Sequence, residues 1–448
     1  MGGYLAYAEY KDSGIEWLGK IPTRWDAKRL KFLVAEPLKY GANEAAELTD
    51  PDLPRYIRIT DVKDDGNLRD ETFRSLPEDI AKDYLLEEGD ILLARSGATV
   101  GKTFIYELSW GKAAYAGYLI RARMSDEVNS RFVYHFLQSN SYLEWVKSIF
   151  IQATIQNISA EKYANLWLPV PQIEEQRSIA RFLDYKTAQI DALIAKKETL
   201  LKKLAEKRTA LISQAVTKGC DRAVPMKDSS IEWLGEIPAH WELVRMRRRW
   251  KVIDCKHKTV EFIDEGFPIA SIGEVRDHKF NLEQAKRASL DDYLDLIDGR
   301  KPEKNDLIYS RNATVGCVGF VDEDIDFCLG QDVCLIKTFT ENNRFLWWQL
   351  QSISVTDQLQ SIFIGATFKR INVADIKAYL VCCPPVDEQQ NIAQYLDEKT
   401  KVIDQQKVQI EEAIAKLKEY RTALITNAVT GKINVRDVML ELEPVEAA

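Results

Sequence analysis

The sequence contains a long internal duplication, and this constrains the fold more than any other feature of the chain. Residues 11–25 read KDSGIEWLGKIPTRW and return 216 residues later as KDSSIEWLGEIPAHW at 227–241, with 11 of 15 positions identical. A second matched pair covers residues 176–191 and 389–404, at an offset of 213. The sequence between these segments differs widely in the two halves. The pattern therefore predicts a repeated frame around two dissimilar inserts.

Length and cysteine usage limit the class of protein. A chain of 448 residues can bury a full core in two to four domains. Its seven cysteines are odd in number and scattered without a Cys-x-x-Cys, and its four histidines lack metal-ligand spacing. It also lacks an apolar run of about 18 residues. We expect a soluble cytoplasmic protein with no disulfide framework, no metal site and no membrane partner.

The formal net charge of −8 argues at first against a nucleic-acid partner, because Lys and Arg supply phosphate contacts. Net charge is an average, however, and each insert can still present a basic face. Clustered basic residues favour such a face in the second half: Arg245, Arg247, Arg248, Arg249 and Lys251.

Short runs rich in β-branched and aromatic residues predict strands in both inserts. In the first half they cover residues 55–62, 90–95, 100–106 and 113–124, and in the second half 268–275, 306–311, 315–321 and 333–339. Helices are predicted at 130–149 and 343–363, with Trp145, Trp347 and Trp348 as core residues.

Heptads predict two further long helices. In the first, apolar residues dominate a positions 179, 186, 193, 200 and 207 and d positions 183, 190, 197, 204 and 211. In the second, every d position is apolar: 396, 403, 410, 417 and 424. Two such seams favour an antiparallel coiled coil. Two independent helical hairpins are the alternative.

Catalytic motifs do not fit the sequence. The run Gly97 to Gly101 has three residues between its glycines, where a phosphate-binding loop needs four. A methyltransferase loop would need an Asn or Asp and an aromatic residue around its prolines, and Cys383-Pro-Pro-Val386 has neither. The sequence therefore predicts no catalytic residue and no cofactor of its own.

Polar residues at matching places in the two halves predict a recognition surface. Their types hydrogen-bond to base edges and phosphates, although a solvated turn or a cap is the alternative for any single one. In the first half they are Arg58, Thr60, Arg95, Ser96, Thr99, Lys102, Gln152, Thr154, Gln156 and Asn157. In the second half they are Arg276, Arg311, Asn312, Thr314, Thr367, Lys369 and Arg370.

Together these segments resemble the specificity subunit of type I restriction and modification enzymes. The resemblance rests on the duplicated Ile-Glu-Trp-Leu-Gly segment, on the Ala-Thr loops and on the Gln-x-x-Ile-Ala-x-x-Leu-Asp entry to each long helix. It covers Asp12 to Lys432. One departure is Gln152, where the second copy has Gly365.

The resemblance implies an α+β fold with two target recognition domains that each bind half of a split double-stranded DNA target. It implies a first recognition domain at 1–170, a central spacer helix at 171–218, a second recognition domain at 219–383, a C-terminal spacer helix at 384–432 and a tail at 433–448. Methyl transfer with S-adenosylmethionine and ATP-driven cleavage would belong to partner chains, which are two methyltransferase subunits and restriction subunits. The alternatives are a coiled-coil adaptor without DNA binding and an enzyme acting on nucleic acid or nucleotide.

Overall fold

The computed structural model describes residues 4–63, 66–151, 157–363, 370–436 and 438. Contacts divide the chain into two units. Unit 1 consists of Met1–Lys196 and Glu412–Ala448, and unit 2 of Lys197–Glu411. Each unit holds one of the two dissimilar inserts. The segments implied by the resemblance follow helices and globular domains, whereas these two units follow contacts between residues. The bounds of those segments therefore stay a prediction.

Unit 1 combines short strands with short helices and parts of two long helices. Its strands are β1 (Tyr10–Asp12), β2 (Lys20–Pro22), β3 (Asp26–Arg29), β4 (Lys39–Tyr40), β5 (Arg55–Ile57), β6 (Ile91–Ala94), β7 (Thr103–Ile105), β8 (Ala113–Tyr115), β9 (Leu119–Ala122) and β10 (Trp167–Val170). Its helices are α1 (Glu78–Ala81), α2 (Ser130–Phe136), α3 (Asn140–Ile151) and α4 (Ala160–Ala164), followed by the long α5 (Ile173–Lys218). Strands β4, β9, β6 and β7 form an antiparallel sheet in that order.

Unit 2 has a similar arrangement of strands and helices, formed by a largely different sequence. Its strands are β11 (Met226–Asp228), β12 (Glu236–Pro238), β13 (Glu242–Arg245), β14 (Lys251–Asp254), β15 (Phe267–Ala270), β16 (Val275–Arg276), β17 (Lys279–Phe280), β18 (Arg287–Ala288), β19 (Leu307–Ser310), β20 (Val318–Phe320), β21 (Cys328–Leu329), β22 (Val333–Lys337) and β23 (Leu380–Cys383). Its helices are α6 (Leu290–Ile297), α7 (Asn343–Gln349), α8 (Ile353–Ile362), α9 (Val373–Ala378) and the long α10 (Val386–Val429). Strands β14, β22, β19 and β20 form the sheet that matches the first one strand for strand.

The two sheets explain why some strands read as continuous apolar runs. Every residue of β6 and of β19 is buried, since each strand lies between two others and is covered on both faces. The predicted strands at 90–95, 100–106, 306–311, 315–321 and 333–339 are confirmed as β6, β7, β19, β20 and β22.

The other strand predictions are confirmed only in part. Residues 55–62 form β5 and then a 3₁₀ helix at Ile59–Asp61. Residues 113–124 form β8 and β9, separated by a turn in which the N–H of Gly117 donates to the carbonyl of Ala42 at 2.6 Å. Of residues 268–275, only the first three lie in β15 and the last begins β16.

Each predicted mid-domain helix is divided in two by a serine-containing turn. The divisions fall between α2 and α3 in unit 1 and between α7 and α8 in unit 2. In unit 1 the N–H of Asn140 donates to Thr426 Oγ1 at 2.9 Å, and in unit 2 the N–H of Ile353 donates to Ser213 Oγ at 2.9 Å. A long-helix side chain thus satisfies a helix-terminal N–H in both units. The tryptophans of these helices are buried, as predicted.

The long helices run antiparallel within unit 2. Arg208 pairs with Asp404, with Nε and Oδ1 3.2 Å apart, while Ile212 shares a core cluster with Leu396. The equivalent pair in unit 1 joins Arg421 Nε to Asp191 Oδ1 at 2.9 Å. The antiparallel prediction is confirmed, and the alternative of independent hairpins is wrong because α5 and α10 are continuous. Within the described ranges, no helix is both long and apolar enough to cross a membrane.

The predicted heptad register is right at the d positions and only partly right at the a positions. The d series of α5 and α10 lies along the buried or half-buried seam at every position. In α5 the a series is right at the buried Ile179 and then wrong by one residue, since Leu193 and Leu200 are exposed and Thr187 and Ile194 are buried instead. Threonine fits the seam because its hydroxyl donates to its own helix, from Thr187 to the carbonyl of Leu183 at 2.7 Å.

Candidate recognition surface

Two turns at the ends of the central sheet strands form the centre of the candidate surface. The first turn comprises residues 95–99 and follows β6, and the second comprises residues 311–314 and follows β19. Each pairs with the segment that leads into the next helix. Ser96 forms an antiparallel bridge with Asn157, and Asn312 forms one with Arg370. The structure therefore brings together, in each unit, predicted residues that are distant in the sequence.

The same backbone bonds fix this junction in both units. The N–H of Ile158 donates to the carbonyl of Arg95 at 2.8 Å, and the N–H of Ile371 donates to the carbonyl of Arg311 at 3.0 Å. Both isoleucines are buried. The backbone hydrogen bonds of the junction are thus the same in both units, whereas the side chains at its bridged positions differ.

Some predicted contact residues lie outside the described part of the chain, and their assignment stays a prediction. They are Gln152, Thr154, Gln156, Thr367 and Lys369.

The arginine of the first turn meets an aromatic ring. The Arg95 guanidinium carbon lies 4.7 Å from the centroid of the Tyr40 ring, at a distance typical of a cation–π contact. Its Nε atom is buried and has no hydrogen-bond partner within the described residues, and the same holds for Asn157 Oδ1. Tyr118, whose carbonyl accepts the N–H of Arg95 at 3.1 Å, is 66% exposed. This turn therefore combines polar atoms that lack a hydrogen-bond partner within the described residues with an exposed aromatic residue.

The arginine of the second turn is instead held inside the unit. Arg311 forms an ion pair with Asp254, and its Nε donates to the carbonyl of Ile371 at 3.2 Å. Only 6% of its side chain is exposed. This burial argues against the direct DNA contact that we predicted for Arg311, because a committed and enclosed guanidinium cannot reach a base edge. We reassign it to holding the second turn in place.

The remaining residues of the second turn form a network around Asp332. Its Oδ2 accepts from Asn312 Nδ2 at 3.2 Å, and its Oδ1 accepts from Arg370 Nη2 at 2.8 Å. Half of the Arg370 side chain is exposed. Thr314 lies deeper, with its Oγ1 2.8 Å from Ser310 Oγ and 3.3 Å from the carbonyl of Val275. Asn312 and Arg370 are thus the two predicted contacts that the structure brings together at the surface of unit 2.

Residues that the sequence did not indicate complete both turns. Tyr40 in β4 pairs with Ile120 of β9, and Asp254 in β14 pairs with Cys334 of β22, so the two occupy the same place in their sheets. Tyr118 and Asp332 are likewise equivalent, since the carbonyl of each accepts the N–H of the turn arginine. An alignment of the two halves by sheet register could have found these pairs.

In unit 1, the predicted residues Arg58 and Thr60 border a cavity of about 470 Å³ that also reaches the first turn. Arg58, Thr60 and Thr99 line it together with Tyr118. Arg58 is bound by both oxygens of Asp61 at 2.8 and 3.0 Å, and this hydrogen bonding raises the pKa of the arginine. Thr60 is exposed at the rim. Unit 1 therefore places three predicted residues around one concave surface.

Two further predicted residues lie at strand ends. Arg276 is exposed next to the two-residue turn between β16 and β17, in which Asp277 and His278 both have positive φ, 50° and 58°. Lys102 is exposed just before β7, and its carbonyl accepts the N–H of Ala94 at 2.9 Å. Both side chains are accessible to a ligand.

One group of side chains in unit 2 has the composition of a metal site. Ligand atoms of Asp254, Cys255 and His257 lie within 4.8 Å of one another. The Arg311 guanidinium is bound to the same Asp254 carboxylate, and burial raises the pKa of the Cys255 thiol. Both effects oppose binding of a cation, so the chemistry of this group fits an arginine anchor better than a metal centre.

Comparison with known proteins identifies the architecture. A profile described as the type I restriction modification DNA specificity domain matches residues 43–203 and 254–416. The chain is 22% identical over 431 residues to the type I restriction enzyme MjaVIII specificity subunit of Methanocaldococcus jannaschii, covering 94% of this chain and 95% of the relative.

Solved structures share the fold. A chain from work on complex assembly and conformational transition of the type I R-M system superposes with a TM-score of 0.71 at 14% identity, covering 92% of this chain and 99% of that one. The HsdS subunit from Thermoanaerobacter tengcongensis superposes with a TM-score of 0.51 at 15% identity, covering 92% and 98%. The repeated sheet and the long helices are thus an arrangement that other proteins also use.

Proposed function

The chain belongs to the type I restriction modification DNA specificity family, and on this premise we propose that it reads a bipartite DNA target, with unit 1 on one half and unit 2 on the other. The observation that carries the proposal is the duplicated junction of turn and loop. Its backbone bonds are the same in both units, while its exposed side chains differ. A constant frame with variable contacts is what two half-sites of different sequence require.

In unit 1 we propose that Arg95, Thr99 and Thr60 contact the DNA, with Tyr118 beside them. The arginine lies against a ring rather than a carboxylate, so its N–H groups keep their capacity to donate to guanine or phosphate oxygens. The hydroxyls can donate to or accept from either base edges or the backbone. The cavity next to them gives the surface a concave shape.

In unit 2 we propose that Arg370 and Asn312 contact the bases, with Arg276 nearby on a separate hairpin. Arg370 is half exposed, and the planar guanidinium that Asp332 holds leaves N–H donors on its other side. Asparagine at such a place can pair with adenine, and arginine with guanine. The two half-sites should therefore differ in sequence.

We further propose that the chain directs partner methyltransferase and restriction subunits and has no catalytic activity itself. Relatives such as MjaVIII are named as specificity subunits of type I restriction enzymes. The long helices, proposed as the spacer between half-sites, carry apolar side chains that stay exposed, among them Leu193, Leu200, Val402 and Val408. Such residues support docking of a partner subunit. S-adenosylmethionine and ATP would then bind to the partners.

Selection from a random duplex DNA library tests the proposal. The full chain, alone and together with its methyltransferase partners, is expected to enrich two short conserved blocks separated by a fixed gap. Salt titration should lower the affinity steeply, because phosphate contacts release counterions. A coiled-coil adaptor would bind the partners but enrich no sequence, and that result would overturn the proposal.

A further inference from the structure

Asp332, which precedes β22 in unit 2, is an acidic residue in contact with both parts of the turn-and-segment junction. Its backbone carbonyl accepts from the N–H of Arg311 at 2.8 Å. Its carboxylate accepts from Asn312 and from Arg370, at 3.2 and 2.8 Å. A single residue therefore contacts the buried Arg311 and the half-buried Asn312 of the second turn, and also the exposed Arg370 of the segment that bridges to it.

The backbone at Asp332 is fixed in a conformation that few residues adopt. Its φ is +63°, in the left-handed region, where aspartate and asparagine are tolerated better than most other residues. Asp332 makes its three contacts, to Arg311, Asn312 and Arg370, from this left-handed backbone conformation. The Asp332 side chain is 24% exposed, about half the exposure of the Arg370 side chain at 50%.

The negative charge of Asp332 matters because the residue lies at the proposed DNA-binding surface. An unpaired carboxylate at a DNA-facing surface would repel the phosphates, so it weakens binding unless it does something else. Here the negative charge is neutralised by Arg370, and the ion pair fixes a long side chain that would otherwise sample many rotamers. Restricting that freedom before binding favours one docking geometry.

We infer that Asp332 is a positioning residue that sets the sequence preference of unit 2 by holding Arg370 and Asn312 in the orientation that reads base edges; this rests on the proposed function. Unit 1 has no such residue at the same place. Tyr118 occupies it there, and the bridge partner of Ser96 is Asn157, which is not an arginine.

The test compares Asp332→Asn with Asp326→Asn. Both variants remove one negative charge from unit 2 and break one ion pair, since Asp326 Oδ1 lies 2.9 Å from Lys301 Nζ. Asparagine also tolerates the left-handed backbone at 332. Each variant is made in the full chain and assembled with the methyltransferase partners. Library selection and competition binding then compare specific with random duplex.

We expect Asp332→Asn to lower the preference for the bases of one half-site by about tenfold, because Arg370 would no longer be held in a fixed orientation toward the base edge. Its affinity for random DNA should stay equal or rise, since a negative charge is gone. Asp326→Asn should leave the selected sequence unchanged. If both variants behave alike, or if both half-sites degrade together, the inference is wrong.

A double-mutant cycle separates positioning from stability. Arg370→Gln should lose preference at the same base pairs, and adding Asp332→Asn should cost little more, because the aspartate acts through the arginine. Additive losses would contradict the inference. If the wild-type chain itself selects no sequence, the proposed function fails, and this inference falls with it.

Discussion

The two recognition turns place the same arginine in opposite chemical surroundings. Arg95 lies over Tyr40 with its Nε unpaired within the described residues, whereas Arg311 is buried against Asp254. The next equivalent pair, Tyr118 and Asp332, repeats the contrast between an aromatic ring and a carboxylate. In unit 1 the turn arginine keeps donor capacity, and in unit 2 the exposed arginine at the junction is Arg370. One backbone frame can therefore present different exposed side chains when the residues behind the turn change.

The largest expected effect comes from breaking the buried ion pair of unit 2. Asp254→Ala leaves the Arg311 guanidinium enclosed without its counter-charge, which should destabilise unit 2 by about 3 kcal/mol. Tyr40→Ala in unit 1 removes a cation–π contact of about 1 kcal/mol together with some apolar burial. Hydrogen exchange on the full chain assigns each loss to its own unit. Equal effects would show that the two surroundings are energetically equivalent.

Acid should weaken unit 2 through its hairpin turn. Burial, with a smaller contribution from Arg208, lowers the pKa of His278 to about 4 from 6.5. A histidine whose folded pKa is lowered binds its proton first in the unfolded state, so stability is full above pH 6.5 and falls as the pH drops toward 4.

The loss should reach about 2 kcal/mol between pH 6.5 and 5, at about 1.4 kcal/mol per pH unit. Asn in place of His278 keeps an acceptor for the N–H of Val318, which lies 3.3 Å from His278 Nδ1, and should flatten this slope. Chemical denaturation of both proteins across this range measures it. An unchanged slope would show that His278 is not the titrating group.

A change at Tyr118 should separate binding from stability in unit 1. The side chain is 66% exposed, so Tyr118→Ala should change the unfolding free energy by less than about 0.5 kcal/mol. If the hydroxyl contacts DNA, affinity for one half-site should fall by about 1 kcal/mol. Titration with the selected duplex measures this. Unaltered affinity would place the contact surface of unit 1 elsewhere on the turn.

The smallest expected effect concerns the backbone of the turns. Gly97 has φ +78° and its counterpart Ala313 has φ +53°, a conformation that costs alanine about 1 kcal/mol. Ala313→Gly should therefore stabilise unit 2 by about 0.5 kcal/mol after the added chain entropy of glycine is counted. Thermal melting compares the two proteins. A loss of stability would mean that Ala313 makes packing contacts that outweigh its strain.

Sequence reasoning located the turns but not what lies behind them. The matched Arg95 and Arg311 are the last residues of predicted strands, and in the structure both turns begin at these arginines. Their partners come from distant strands: Asp254 is 57 residues from Arg311 along the chain. Residue types near a turn carry no information on such a partner, so the burial of Arg311 was not predictable. The strand pairing of the folded sheet is what brings Asp254 next to Arg311.

The long helices show a similar division. Their number, direction and d positions followed from the apolar repeat. The a positions did not, because the predicted register includes Leu193 and Leu200, which are exposed, and leaves out Thr187, which is buried. A threonine whose hydroxyl is satisfied by its own helix is acceptable in the seam, and hydropathy alone does not reveal that bond.

The central claim is that each unit reads its own half of one DNA target. Library selection with Arg95→Ala and with Arg370→Ala, each in the full chain with its methyltransferase partners, tests it most directly. Each variant should relax the bases of one half-site only, the two variants should affect different halves, and the gap should stay unchanged. If either variant degrades both halves equally, or if both variants relax the same half, the assignment of one unit to one half-site is wrong.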